Sequence, residues 1–247
     1  VSTMARVSVR TQCDAISTLP YTMDLEAQNL QGTTNALAFP WCWTRINNLS
    51  TGYYIDYPYV SQYSSGYNST NALQFYYYSY GSDTVNTVMG FVLPALDIET
   101  YPMNGNRISF WAKGESWNSN TYSLQVGTMS NPADMSTFTP VETVTVDATE
   151  YTKYTVSLAN ANSTNAYVAV MAFSPNGTMY LDDLTLEVLP ACADITGLTL
   201  VNVTENSATI SWDAVADSYT VLMNGSEISV IDTTYTFTDL MPMTQYT

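Results

Sequence analysis

The sequence predicts an all-β protein, an antiparallel β-sandwich followed by a smaller sandwich unit. Apolar residues alternate with polar ones along most of the 247-residue chain, and a helical period is almost nowhere found. The alternating runs are short, and turn-forming stretches separate them: Met103-Asn-Gly-Asn106, Ser130-Asn-Pro132, Ala159-Asn-Ala-Asn162 and Ser174-Pro-Asn-Gly177. One run, Tyr167-Val-Ala-Val-Met-Ala-Phe173, is apolar throughout, as befits a central strand covered on both faces.

In chain order, residues 1–13 contain Ala5-Arg-Val-Ser-Val-Arg10, which has the pattern of the last strand of a preceding module. The main body follows at 14–190. It opens on Asp24-Leu25-Glu26, two carboxylates in strand-like, apolar surroundings, where such groups are costly unless paired or cation-bound. Tyrosines then crowd the stretch from Tyr53 to Tyr80. In Gln74-Phe-Tyr-Tyr-Tyr-Ser-Tyr80 strand parity sends Phe75 and Tyr77 to one face and Tyr76, Tyr78 and Tyr80 to the other. Ile108 and Phe110, then Tyr122, Leu124 and Val126, then Tyr154, Val156 and Leu158 mark one-sided strands. The body closes on Tyr180-Leu-Asp-Asp-Leu-Thr-Leu-Glu187, a second acidic pair in a strand. A boundary falls near Leu189-Pro-Ala-Cys-Ala193. Beyond it, in 191–247, Leu198 and Leu200, then Ala208, Ile210 and Trp212, then Tyr219, Val221 and Met223 alternate. Leu240-Met-Pro-Met-Thr-Gln-Tyr246 has the spacing of a tyrosine corner.

If the first and last strands of the body pair side by side, the two acidic stretches meet. Asp24, Glu26, Asp182 and Asp183 then form an oxygen-rich corner suited to a hard cation. The alternatives are solvated strand ends, or a carboxylate that caps a turn through backbone N–H groups. Composition narrows the partners. Six basic residues against 22 acidic ones leave a net charge of −16, which repels phosphate backbones, so nucleic acid and anionic membranes are excluded as partners. No apolar run is long enough for membrane insertion as a helix. With no histidine, neither a Ser-His-Asp nor a Cys-His site exists, and no Gly-rich phosphate loop appears. A glycosidase needs only two carboxylates at a set separation, which composition does not exclude. Most acids here, however, sit in loops without a recognisable pair, and Glu115 and Glu150 have no obvious partner in the sequence; the chain is read as not an enzyme. A Ser/Thr/Asn-rich, Lys-poor composition fits an extracellular or bacterial cell-surface location.

The motif set of the body is distinctive: Leu19-Pro-Tyr-Thr-Met-Asp-Leu-Glu26 with Pro40-Trp-Cys-Trp43; Arg107-Ile-Ser-Phe-Trp-Ala-Lys113 with Tyr122-Ser-Leu-Gln-Val-Gly-Thr128; and Glu150-Tyr-Thr-Lys-Tyr-Thr-Val156 leading to Tyr180-Leu-Asp-Asp-Leu184. It resembles the jelly-roll adhesin domains of Bacteroidetes surface proteins, of the gingipain/haemagglutinin type. It is also similar to the MAM domain and, more distantly, to jelly-roll carbohydrate-binding modules. The resemblance implies a noncatalytic binding domain, with structural Ca2+ held where the first strand meets the last, by Asp24, Glu26, Asp182 and Asp183. Ala208-Thr-Ile-Ser-Trp212 with the tyrosine corner resembles the first strands of a fibronectin type III domain, an immunoglobulin-like sandwich that is partial here because its last two strands have no sequence.

Candidate ligand-binding residues are the loop tyrosines Tyr53, Tyr54, Tyr57 and Tyr59, together with Trp117 in the polar stretch Gly114-Glu-Ser-Trp-Asn-Ser-Asn120. Such rings stack on sugars or anchor a protein partner. The outward tyrosines of the 74–80 strand are assigned first to cross-strand pairing. Trp41 and Trp43 are assigned to packing, and Trp212 to the core of the second unit. Among Cys13, Cys42 and Cys192, closure of the body favours Cys13–Cys192, with Cys13–Cys42 second and free thiols third. The expected function is adhesion, by binding a glycan or a host surface protein. One alternative is a structural repeat of a filament or stalk, self-associating through exposed sheet edges. Another is an accessory carbohydrate-binding module of a longer hydrolase or protease.

Overall fold

The computed structural model describes residues 13–26, 30–31, 38–49, 56–63, 65–78, 87–115, 122–173, 177–190, 195–214 and 218–247. The chain divides into two compact units, Val1–Leu189 and Pro190–Thr247. The sequence expectation for a strand before residue 13 lies outside the described residues.

The strands of the larger unit are β1 (Tyr21–Met23), β2 (Leu30–Gln31), β3 (Phe39–Pro40), β4 (Thr44–Asn47), β5 (Tyr59–Ser61), β6 (Ala72–Tyr77), β7 (Val88–Val92), β8 (Asn106–Gly114), β9 (Tyr122–Met129), β10 (Thr139–Val146), β11 (Thr152–Ser157), β12 (Tyr167–Phe173) and β13 (Gly177–Val188). They form a front sheet, ordered β11-β8-β13-β6-β5 with β1 also on β13, and a back sheet, ordered β10-β9-β12-β7-β4. The antiparallel pairings nest: β6 with β13, β7 with β12, β8 with β11 and β9 with β10. A long β-hairpin folded over on itself in this way is a jelly roll.

Period-two patterning explains where the core sits. Ile108 and Phe110 of β8, Leu124 and Val126 of β9, Val156 of β11 and Leu181, Leu184 and Leu186 of β13 are fully buried between the sheets. On β6 Leu73, Phe75 and Tyr77 point inward, and Tyr76 and Tyr78 are only half-buried. The apolar strand β12 is buried on both faces, as its sequence predicts. Val168 and Val170 face the main core, and Ala169 and Met171 pack with Met129, Met135 and Phe138 on the outer side. Gly127 makes that outer packing possible, because a Cβ there would lie 2.7 Å from the Phe138 ring.

One sequence expectation is corrected here. The disulfide is Cys13–Cys42, with a Cα–Cα distance of 5.6 Å. The register Met23↔Leu184, Thr22↔Thr185, Tyr21↔Leu186, run on unbroken, would carry Cys13 to within two residues of Cys192. The ladder stops at Tyr21 instead. Pro20 has no N–H to continue it, and Ile16 turns aside to bridge Leu96 and bond with Ala95 and Asp97. Cys13 therefore comes to Cys42; Cys192 is outside the described residues. Of the two tryptophans assigned to packing, Trp41 is 49% exposed, and Trp43 is buried, stacked 4.7 Å from Phe91 and bonded through its indole N–H to the Tyr21 hydroxyl.

The smaller unit contains β14 (Thr199–Val203), β15 (Ala208–Ser211), β16 (Tyr219–Met223), β17 (Ser226–Val230) and β18 (Thr234–Phe237). They pair as β14-β15-β18 and β16-β17. Its core is small: Trp212, Tyr219 and Val221, with Trp212 and Tyr219 edge to face. The Tyr246 hydroxyl accepts from the Met241 N–H at 2.8 Å, the contact its spacing predicts. Leu198 and Leu200 alternate in sequence but remain more than 60% exposed; Leu200 lies on β14, an edge strand of the three-stranded sheet.

Candidate binding groove and closure node

β13 is long enough to serve two partners on one edge. Its first half, Gly177–Leu181, pairs with β6, and its second half, Leu184–Leu186, pairs with β1. The acidic pair sits at the change of partner. There the register with β8 shifts between Asp182 and Thr185, and Asp183 takes a left-handed φ of 46°. The bulge inserts one residue, so Leu181 and Leu184 both face the core while Asp182 stays on the outer side. On β1's side Leu25 also has a left-handed φ (57°) and is fully buried, which turns Asp24 and Glu26 away from the core. The two acidic stretches therefore do meet, as the sequence predicts.

At this node Asp182 has no solvent exposure. Its Oδ2 accepts from the Tyr67 N–H at 2.7 Å and the Ser69 hydroxyl at 2.9 Å, and its Oδ1 accepts from the Asp183 N–H at 2.8 Å. Burial pushes its carboxyl up to about 6, against the pull of those three bonds. Burial, then the charges of Asp24 and Glu26, push the Asp183 carboxyl upward as well. Glu26 Oε1 accepts from the Thr70 and Asn71 N–H groups, and the Asn71 side chain donates to the Leu25 carbonyl. The acids are thus drawn to one corner, but among the described residues no group of three or more is gathered closely enough, as placed, to hold a metal ion. Two of them cap backbone N–H groups of the Ser65–Asn71 loop.

That loop is also clamped from its other side. Tyr67 stacks 3.8 Å from Trp111, Tyr151 lies edge-on to Tyr67, and the Tyr151 hydroxyl donates to the Ser65 carbonyl. Gly66 is required by closeness rather than by φ: a Cβ there would lie 2.3 Å from the Asn71 carbonyl oxygen and 2.9 Å from Asp182. The loop begins beside a groove of about 430 Å³ on the outer face of the front sheet, lined by Tyr57, Tyr59, Ser61, Tyr63, Ser65, Gln74, Tyr76, Glu115, Thr178 and Tyr180.

Strand register builds the groove. Tyr59, Gln74, Tyr180 and Lys113 lie in one row across β5, β6, β13 and β8, and Tyr76 pairs with Thr178 in the next. Gln74 donates to the Tyr180 hydroxyl at 3.4 Å, and Tyr180 donates to Glu115 Oε1 at 3.1 Å. Burial and the adjacent Glu115 charge hold the Tyr180 phenol well above its ordinary range, so it stays a donor. Tyr57 is 4% exposed; its ring packs on Tyr59 and Tyr76 and forms wall rather than contact surface. Tyr63 is 72% exposed.

Of the sequence candidates, Tyr57 and Tyr59 are brought to the groove; Tyr53, Tyr54 and Trp117 lie outside the described residues. The sequence places Tyr76 among outward rings that could stack on a sugar but assigns them first to cross-strand pairing, and it does not single out Gln74, Glu115 or Tyr180 for ligand contact. Strand parity marks Gln74 and Tyr76 as outward, but only the β6–β13 register puts them beside Tyr180.

No family model and no curated protein matches the chain. Among solved structures, the K1 cleaved adhesin domain of Lys-gingipain from Porphyromonas gingivalis W83 aligns over 70% of this chain and 100% of that domain, at 18% identity and a TM-score of 0.51. The K3 cleaved adhesin domain of the same protein aligns over 60% of this chain and 91% of that domain, at 20% identity and a TM-score of 0.46. The CBM22-1 xylan-binding domain from Paenibacillus barcinonensis Xyn10C aligns over 73% and 100%, at 14% identity and a TM-score of 0.44. The likeness to the K1 domain establishes a shared fold.

Proposed function

We propose that the jelly-roll unit is a noncatalytic extracellular binding module that takes a glycan in the tyrosine-lined groove, and that adhesion is its role. The groove carries this reading. Tyr59, Tyr76 and Tyr180 present aromatic surface beside a polar line of Gln74, the Tyr180 hydroxyl and Glu115. Aromatic surface with a few placed polar groups is what sugar rings need: apolar faces stack, and equatorial hydroxyls are met at the edges. The shared fold with a domain described as a cleaved adhesin domain supports adhesion. A Cys13–Cys42 disulfide supports an oxidising, extracellular compartment. No helix among the described residues is long and apolar enough to cross a membrane. A glycan array tests the reading: saturable binding that is lost in Tyr76→Ala supports it. Binding confined to host surface proteins would replace the ligand.

A structural cation belongs to the same proposal. Asp24, Glu26 and Asp183 offer only oxygen donors, the chemistry calcium prefers. Because no three stand close enough as placed, calcium would have to draw them together, with strand-end carbonyls completing the site. Calcium would neutralise like charges at the closure and brace the fold. For the smaller unit we propose a fibronectin type III-like module, on the Trp212 core and the Tyr246 contact. Self-association is the second reading, and exposed apolar residues favour it: Leu200, Val201 and Val203 of β14 with Leu222 and Ile231. Light scattering across a concentration series separates the two, since a concentration-independent monomer removes assembly.

A further inference from the structure

Electrostatics narrows the ligand class, granted that the groove binds a glycan. Among the residues that line it, Glu115 is the formally charged group at neutral pH, and the charge is negative. It sits at the end of the polar line, where it accepts from Tyr180. Tyr180 is fixed as a protonated donor and adds no positive charge. Lys113, next in the row, does not line the groove. Its ammonium lies 4.7 Å from the Tyr151 ring and 5.7 Å from the Tyr180 ring, so the two aromatic faces hold it. The remaining lining groups are phenols, hydroxyls and one amide. Beyond the groove, the chain carries 22 acidic residues against 6 basic ones. Recognition of carboxylate, sulfate or phosphate calls for a fork of Arg donors or a Lys point charge, and among the described residues the groove lining offers neither.

We propose that the groove selects uncharged oligosaccharides and rejects acidic ones, with Glu115 as the discriminating residue. A ligand hydroxyl can donate to this carboxylate edge; a ligand carboxylate in the same place meets like charge across a short distance in a partly dry site. At contact separations that repulsion is enough for a discrimination of about tenfold or more. Because it is electrostatic, it weakens with added salt.

The test is a matched-pair titration on the whole chain. Neutral hexose oligomers that bind on the array are compared with their C6-carboxylate counterparts, which keep the ring stereochemistry. The expected result is at least about tenfold weaker binding of the carboxylated partner at low salt, a ratio that shrinks in about 1 M salt, where the screening length falls to about 3 Å. In Glu115→Gln the ratio is expected to fall towards one. Equal or tighter binding of the carboxylated chain overturns the inference and leaves the glycan reading standing. A ratio unchanged in Glu115→Gln overturns the role of Glu115. Failure of every neutral saccharide on the array to bind overturns both the inference and the reading beneath it.

Discussion

Asp182 is a buried carboxylate that organises its surroundings through three donors, two on Oδ2 and one on Oδ1. Its proton affinity has a measurable consequence. In the folded chain the carboxyl is pushed up to about 6 from an ordinary value of 3.8, chiefly by burial. Between those values the folded state binds more protons than the unfolded one, so stability falls as pH rises. Denaturant midpoints are therefore expected to drop from about pH 4 to about pH 6 and, for this group, to stay level above that. Asp182→Asn should flatten the profile. It should also cost about 1–3 kcal/mol, because an amide has only one acceptor oxygen and leaves a donor facing its NH2 group. A profile that keeps its full slope in Asp182→Asn would assign the slope to other acids.

The loop Ser65–Asn71 ties the closure to the groove. Its N–H groups end on Asp182 and Glu26, Tyr67 is stacked on Trp111, and Ser65 is held by Tyr151 while it lines the groove. Tyr151→Phe keeps the ring contact with Tyr67 and removes only the hydroxyl. Hydrogen exchange at the amides of Tyr67, Thr70 and Asn71 should then quicken, and unchanged exchange would show that Tyr151 does not hold the loop. β6 supplies a sharper contrast. Tyr77→Ala is expected to cost about 3–5 kcal/mol, like other large core truncations, whereas Tyr76→Ala should cost far less; comparable losses would contradict the assigned faces. At the amino-terminal edge the Cys13–Cys42 bridge closes a 29-residue separation. In the chain-entropy picture its reduction should lower stability by about 3.6 kcal/mol, read as a midpoint shift with reductant.

At the scale of the whole molecule, the two acidic stretches both close the jelly roll and position the wall of its groove. If calcium braces that corner, a chelator should lower the melting temperature by several degrees and calcium should restore it; an identical transition with and without chelator argues against a structural cation. Much of the sandwich was legible in the sequence, because parity is a local property. Phe75 and Tyr77 inward, β12 covered on both faces and the meeting of Asp24 with Asp183 all follow from period two and from the order of the strands. What was not legible depends on contacts remote in sequence. Tyr67 reaches Asp182 across 115 positions, and Gln74 meets Tyr180 across 106; no periodicity encodes either. The Cys13–Cys192 expectation failed for a related reason, since it extended a ladder that Pro20 and the Ile16 bridge end early. The central claim is that the tyrosine face of the front sheet is the ligand surface. Calorimetric titration of the strongest-binding neutral oligosaccharide into the double variant Tyr59→Ala/Tyr76→Ala tests it most directly. Affinity should fall at least about tenfold, the loss of about 1.4 kcal/mol or more of ring contact, with the melting temperature within about 5 °C of the parent. Undiminished affinity in a folded double variant would place the binding surface elsewhere.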